Sequence, residues 1–274
     1  SRPPRGFVVL DGGKIDWSQW YLTDEEDMGQ SPEQFMTIQR LVSAARALGR
    51  ERGWSHDRLL IGADCYFGWV EREPLVRVSP DVFLLDDPPP RPYPKSFQTW
   101  RAGHRPPRFA VEVVSEKWTK DYDDAPDKYA QLGTRELVIF DAETSPKANP
   151  RRERLQVFRR DEVGALARVY AGPGPAWSEE LQIWLVADQV DGAWELALAR
   201  DAEGLELVPT ESELAELEAQ RAETEKQRAE TEKQRAETEK QRAETEKQRA
   251  ETEKQRAEVM AAKLRALGID PTQL

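Results

Sequence analysis

Apolar positions along the chain fall into two rhythms. From Phe35 onward, Phe35, Ile38, Leu41, Val42, Ala45 and Leu48 recur at spacings of three and four, which predicts a helix burying one face. Ser31-Pro32-Glu33-Gln34 opens it well: Ser31 can cap, Pro32 suits the first helical position, and Glu33 favours the positive end of the helix dipole. The helix should end between Gly49 and Gly53. After it the rhythm changes to short apolar runs, 59–63, 65–70 and 75–78, which read as two or three strands. Two further runs are nearly all apolar, Val78 to Leu85 and Phe109 to Ser115, as expected of strands covered on both faces. Lys117 to Leu132 reads as a loop and helix stopped by Gly133, and Glu136 to Asp141 as another strand. A strand, helix, strand order of this size predicts a parallel pair with a right-handed crossover. Runs 155–158, 167–170 and 183–186 continue as strands, and 193–208 suggests a closing hairpin.

Two stretches break the pattern. Residues 86–108 carry seven prolines among twenty-three residues, together with Arg91, Lys95, Arg101, His104, Arg105 and Arg108, and read as a long basic loop without regular structure. It joins the two apolar strands and is the best candidate for phosphate contacts, against the plainer reading of a solvated loop. The second stretch is Arg221 to Gln255, where Arg-Ala-Glu-Thr-Glu-Lys-Gln occurs five times without Gly or Pro, predicting one helix of roughly 50 Å. Its heptad seam would pair Ala222 with Glu225 and bury little. Oppositely charged residues three and four apart, such as Arg221 and Glu225, support a solvated helix, and an oligomeric coiled coil is the rival reading. A better seam runs Ala257, Met260, Leu264 and Leu267, before Gly268 and Pro271 stop the helix.

The predicted organisation is therefore an irregular arm over 1–30, an α/β domain over 31–208, a charged helix over 209–268 and a tail over 269–274. The arm holds Trp17, Trp20 and Tyr21, expected to pack on the domain, and the acidic run Asp24 to Asp27. Of the formal charge of −11, counting places about −3 in 211–274 and about −8 in residues 1–210, and a net acidic domain argues against nonspecific adhesion to DNA or anionic membrane but leaves room for a local basic lip. One cysteine, Cys65, rules out an internal disulfide, fits a reducing compartment, and reads as a small core residue. With no long apolar stretch and no signal-like start, the expectation is a cytoplasmic protein without a membrane span.

The chemistry centres on Asp81 and Glu112, thirty-one residues apart on separate strands. An isolated ionised carboxylate carried into a core costs several kcal/mol unless something compensates it, and a divalent cation is one candidate. Buried acids satisfied by backbone or arginine are the commoner arrangement. The Pro80-Asp81-Val82 and Val111-Glu112-Val113-Val114-Ser115 motifs, followed by Asp121, Tyr129, Gly133 and Glu136 to Asp141, resemble the Uma family of bacterial restriction-endonuclease-like proteins. The resemblance covers roughly residues 31–186, and the segment Leu264 to Pro271 after charged repeats is also familiar from that group.

That family belongs to the PD-(D/E)XK nuclease superfamily, which implies a mixed sheet flanked by helices and hydrolysis of DNA phosphodiester bonds with Mg2+ or Mn2+. By the resemblance Asp81 and Glu112 are the metal-binding acids and the Val113 carbonyl a further ligand. The superfamily's lysine, two residues after the Glu, is here Val114. Family members commonly carry it four residues before the Tyr, which is Ala125; Lys128 lies one turn on along nearly the same face and is the first candidate for the catalytic cation, with Lys117 and Lys120 in reserve. The family's early Glu-Leu-x-x-Gly motif has no clean counterpart before Ser31; a helix polar residue such as Gln39 is a conceivable substitute but is not counted among the site residues. DNA is the implied partner and a homodimer a candidate assembly. The competing reading is a catalytically silent nuclease fold that docks a protein partner through the charged helix. His104 and His56 read as surface residues, Asp64 as a turn residue before a third carboxylate, and the nine tryptophans as core and rim packing.

Overall fold

The computed structural model describes residues 9–10, 13–22, 31–55, 57–114, 120–144 and 151–266. His56, the acidic run 24–27, Ser115, Lys117 and the segment from Leu267 onward lie outside the described residues. The arm contains a short antiparallel pair, β1 (Val9–Leu10) and β2 (Lys14–Ile15), so it is not wholly irregular. Its Trp20 is buried, with ring centroids 5.8 Å from Trp17 and 6.2 Å from Trp69, and Tyr21 bridges to Val76.

Helix α1 (Pro32–Glu51) starts as its first turn predicts. Ser31 accepts from the Gln34 N–H at 3.2 Å while Gln34 Oε1 accepts from the Ser31 N–H at 3.0 Å, a reciprocal capping box. The strands that follow are β3 (Leu59–Gly62), β4 (Tyr66–Gly68), β5 (Arg77–Val78), β6 (Val82–Asp86), β7 (Ser96–Gln98) and β8 (Phe109–Val113). Strand β7 corrects the expectation that 86–108 holds no regular element: between its prolines the loop pairs in parallel with β4. Helix α2 (Ala125–Leu132) is preceded by a π-helical turn, Lys120–Asp124, and ends at Gly133, whose φ of 109° favours glycine. Then come β9 (Glu136–Phe140), β10 (Leu155–Arg160), β11 (Leu166–Gly172), β12 (Ala176–Ser178), β13 (Ile183–Val190) and β14 (Ala193–Ala199). Strands β13 and β14 form a hairpin turning at Asp191 and Gly192, and, as expected of 193–208, the chain after β14 doubles back on it through the antiparallel Ala199–Leu207 bridge, with the Arg200 N–H donating to the Glu206 carbonyl at 2.8 Å and the Val208 N–H to the Leu198 carbonyl at 2.7 Å.

Six strands form the central mixed sheet in the order β11-β10-β9-β8-β6-β3, and β8 and β9 are its parallel neighbours, joined through α2. Successive side chains of a strand face opposite layers, and the two apolar clusters follow that alternation. Val82, Leu84, Val111, Val113, Val138 and Phe140 pack with α1 and the β12-β13-β14 sheet; Phe83, Leu85, Ala110, Leu137 and Ile139 pack with α2 and the β5-β4-β7 sheet. Arg40 ties α1 to β13 and β14 through Asp188 at 2.8 Å and Glu195 at 3.0 Å. The fold is an α/β arrangement of mixed sheet flanked by helices, as expected from the sequence.

Two compact units divide the chain near residue 214. The second consists of most of α3 (Glu211–Ala266), a helix of about 84 Å at 1.5 Å per residue with no buried residue. In each repeat a threonine hydroxyl donates to the carbonyl four residues earlier, as Thr224 does to Gln220 at 2.8 Å. Among the described residues no helix is long and apolar enough to cross a membrane.

Candidate active site

Strands β6 and β8 are antiparallel with Val82 opposite Val111, so the next position outward sets Asp81 opposite Glu112. Both alternate onto the α2 side of the sheet, with Phe83 and Ala110. Directly opposed residues bring their Cβ atoms to about 5 Å, which puts two acids at the end of one ladder. Asp81 lies just before β6, and its Oδ2 accepts from the Val113 N–H at 2.7 Å, so a side chain extends the ladder one step beyond its last backbone pair.

Glu112 meets α2 from below. Burial on that helix falls on Ala125, Lys128, Tyr129 and Leu132, and the fully buried Tyr129 donates its hydroxyl to Glu112 Oε1 at 2.6 Å. Glu112 keeps some solvent exposure. Even so, burial first, then the like charges of Asp81 and Asp121, push its carboxyl well above the usual range, while the Tyr129 hydroxyl and the Lys120 charge pull back in part. Burial and the Glu112 charge raise the Tyr129 phenol as well, so it stays a donor.

The helix residue that reaches this end of the sheet is Gln34, not Gln39, which is exposed. Gln34 Nε2 donates to the Val113 carbonyl at 3.0 Å while its Oε1 completes the α1 cap. The capping box makes Gln34 legible as a cap; its second role depends on where α1 lands on the sheet. Of the lysines, Lys128 is buried on α2 beside Tyr129, and Lys120 is exposed on the π turn with its field acting on Glu112. That turn is anchored by Tyr122, whose hydroxyl donates to Asp141 Oδ2 and accepts from the Glu153 N–H. Asp121, on the same π turn, is a third acid felt at Glu112.

Other candidates are placed elsewhere. Asp64 is an exposed turn residue with φ 53°, accepting from the Ser79 hydroxyl at 3.3 Å. His104 is half-buried against Phe97, and its Nδ1 accepts from the Gln98 N–H, so it holds β7 in place. The basic loop leaves β6 at Asp86 and enters β8 at Phe109, the ends of those strands opposite to Asp81 and Glu112. Its Arg105 pairs with Asp87 and its Arg108 with Asp86. Cys65 is half-buried, and burial pushes its thiol up to about 11.

Mg2+ takes one or two protein carboxylates and keeps several waters. Asp81, Glu112 and the Val113 carbonyl are oxygen donors of that kind, and the mutual repulsion of two opposed acids is what a divalent cation would relieve. Among the described residues no group of three or more His, Cys, Asp or Glu is close enough to form a fuller cage.

One solved structure, described as a "putative nuclease belonging to DUF820" from Anabaena variabilis, matches at 12% identity over 64% of this chain and 82% of that one, with a TM-score of 0.38, a likeness too distant to carry an argument. No curated protein matches the chain. A family pattern does, over residues 29–198, more than half of the 274 residues and inclusive of Gln34, Asp81, Glu112, Lys120 and Tyr129. By that match the chain belongs to the Uma2 family, whose description reads "Putative restriction endonuclease".

Proposed function

We propose that the chain is a divalent-metal-dependent endonuclease that hydrolyses DNA phosphodiester bonds with water as nucleophile. The observation that carries this reading is the placement of Asp81 directly across the ladder from Glu112, with a backbone N–H and a phenol aimed at the two carboxylates. Asp81, Glu112 and the Val113 carbonyl would hold Mg2+ or Mn2+. When bound, such an ion supplies Lewis-acid stabilisation of phosphoryl charge and lowers the pKa of a bound water. The chain's own residues do the rest. Val113 N–H and the Tyr129 hydroxyl fix the rotamers of the two acids, Gln34 fixes the Val113 carbonyl, and a lysine orients the attacking water or offsets charge developing on the phosphoryl oxygens. Lys120 is supported in that role by its field at Glu112, and Lys128 by its burial beside Tyr129.

A second reading, a nuclease fold that no longer cuts and serves as a docking module with α3 as its partner-binding rod, is favoured by one residue. Val114, at the superfamily's lysine position, is 2% exposed and packed in the apolar cluster under α2.

Plasmid incubated with the purified protein and Mg2+ or Mn2+ separates the two. Cleavage that falls at least 100-fold in Asp81→Ala, and about 10- to 100-fold in either Lys120→Ala or Lys128→Ala, is expected. Cleavage untouched by Asp81→Ala would place the activity elsewhere, and none with either metal would leave the docking reading.

A further inference from the structure

A cavity of about 320 Å³ lies between the C-terminal turns of α1, the edge strand β3 and the basic loop, lined in part by Arg46, Arg50, Trp54, Arg91, Tyr93 and Glu211. It is remote from the acid pair. Leu59 on its wall pairs with Asp86, five residues along from Asp81, or about 16 Å at 3.3 Å per residue. Gly49 shapes one side: a Cβ there would stand 2.9 Å from the Trp54 ring, so only glycine lets that ring lie on the helix backbone. Arg52 and Arg108, each 5.8 Å from the ring centroid, hold Trp54 in place.

The charges of the cavity are unequal. Arg50 is paired with Glu211. Arg46 donates a long bond, 3.4 Å, to the Ile61 carbonyl, and Arg91 sits 5.2 Å over the Tyr93 ring. Both are exposed, and a carbonyl and a ring leave their charge unneutralised, so the cavity is cationic in a protein whose formal charge is −11. Guanidinium groups match phosphate oxygens two at a time, and aromatic walls accept the flat face of a base. An apolar ligand would strip water from two arginines without replacing it, and a bare inorganic anion would leave the rings wet. Ligand cavities run from about 300 to 1,000 Å³, so this one takes a single unit and not a dinucleotide.

We propose that this cavity binds one nucleotide, its phosphate on Arg46 and Arg91 and its base against Tyr93 and the edge of Trp54. The nucleotide is either a free monophosphate or one unit of a single strand, and the site is independent of the acid pair and of whether that pair cuts.

Calorimetric titration of the full chain in EDTA, with deoxyadenosine monophosphate and separately with a ten-residue oligodeoxythymidine, tests it. Saturable binding is expected, weakened about tenfold or more in Arg46→Gln/Arg91→Gln and unchanged in Asp81→Ala. Glu211→Gln, which releases Arg50 toward the phosphate, should tighten binding severalfold, a gain that damage to the fold would not produce. Saturation by the monophosphate identifies the free nucleotide as ligand; saturation by the oligonucleotide alone identifies the strand. Absence of binding by both, binding equally strong in the double arginine variant, or binding lost in Asp81→Ala overturns the proposal.

Discussion

Glu112 and Glu136 stand at opposite ends of adjacent strands of one sheet, and the sheet treats them differently. Glu136 is 1% exposed, and its carboxylate receives the Arg159 guanidinium at 3.0 Å, the Glu179 N–H at 2.9 Å and the Ser178 hydroxyl. Asp141, at the far end of the same strand, is also fully buried and is gripped by Arg152 through both oxygens, at 2.7 and 2.6 Å. Each of these acids comes with its own arginine, and each ties strands together. Glu112 is met by a neutral phenol at 2.6 Å and feels the fields of Asp81 and Asp121. Acids that serve the fold are neutralised by an arginine, whereas the one in the candidate site is held by a phenol, with the repulsion of Asp81 and Asp121 offset only in part by the charge of Lys120.

The comparison can be broken in several ways. The largest effect is expected at the structural acid: Arg159→Ala leaves a buried charge at Glu136 and should lower stability by about 3–5 kcal/mol in urea unfolding. A loss under about 1 kcal/mol would mean that Glu136 is no better anchored by the chain than Glu112. At the candidate site the expected response is to metal. Saturating Mg2+ or Mn2+ at about a hundred times its dissociation constant should stabilise the wild type by about 2.7 kcal/mol, and Asp81→Ala should abolish the gain. An equal thermal shift in both proteins would remove the metal from this pair. Smaller still, and of opposite sign to the usual core substitution, Glu112→Gln keeps an acceptor for the Tyr129 hydroxyl and removes one of two facing charges. In EDTA it should stabilise the protein by about 1 kcal/mol while ending cleavage, and a destabilisation would show that Glu112 is compensated after all. The smallest effect concerns Cys65: with its thiol up at about 11, alkylation by iodoacetamide should be slow at neutral pH and quicken steadily as pH rises toward that value.

Much of the fold is legible in local pattern because local physics decides it. The three-and-four spacing from Phe35 to Leu48, with Ser31 and Pro32 before it, specifies α1 and its start. The all-apolar runs specify strands covered on both faces, and five unbroken repeats specify a helix whatever else the chain does. The strand, helix, strand order also determines that β8 and β9 run parallel, since a crossover through a helix leaves little alternative.

What local pattern leaves undecided has a common cause. Prolines dominate the basic loop, but they forbid ladder bonds only at their own positions, so Ser96–Gln98 still pairs with β4. The β13–β14 hairpin is not evident from pattern because 183–190 and 193–199 look like separate runs until Asp191 and Gly192 fold one onto the other. In the site, Asp81 and Glu112 were readable as acids at the ends of apolar strands. What only the tertiary structure decided is that they oppose each other, that Tyr129 and not an arginine reaches Glu112, and that Gln34 and not Gln39 meets Val113. Those facts depend on strand register and on where two helices land, and both are set by packing between residues far apart in the chain. By itself the sequence determines which side chains are available and on what element; the register decides which of them face one another, and so which charge is left for a cation.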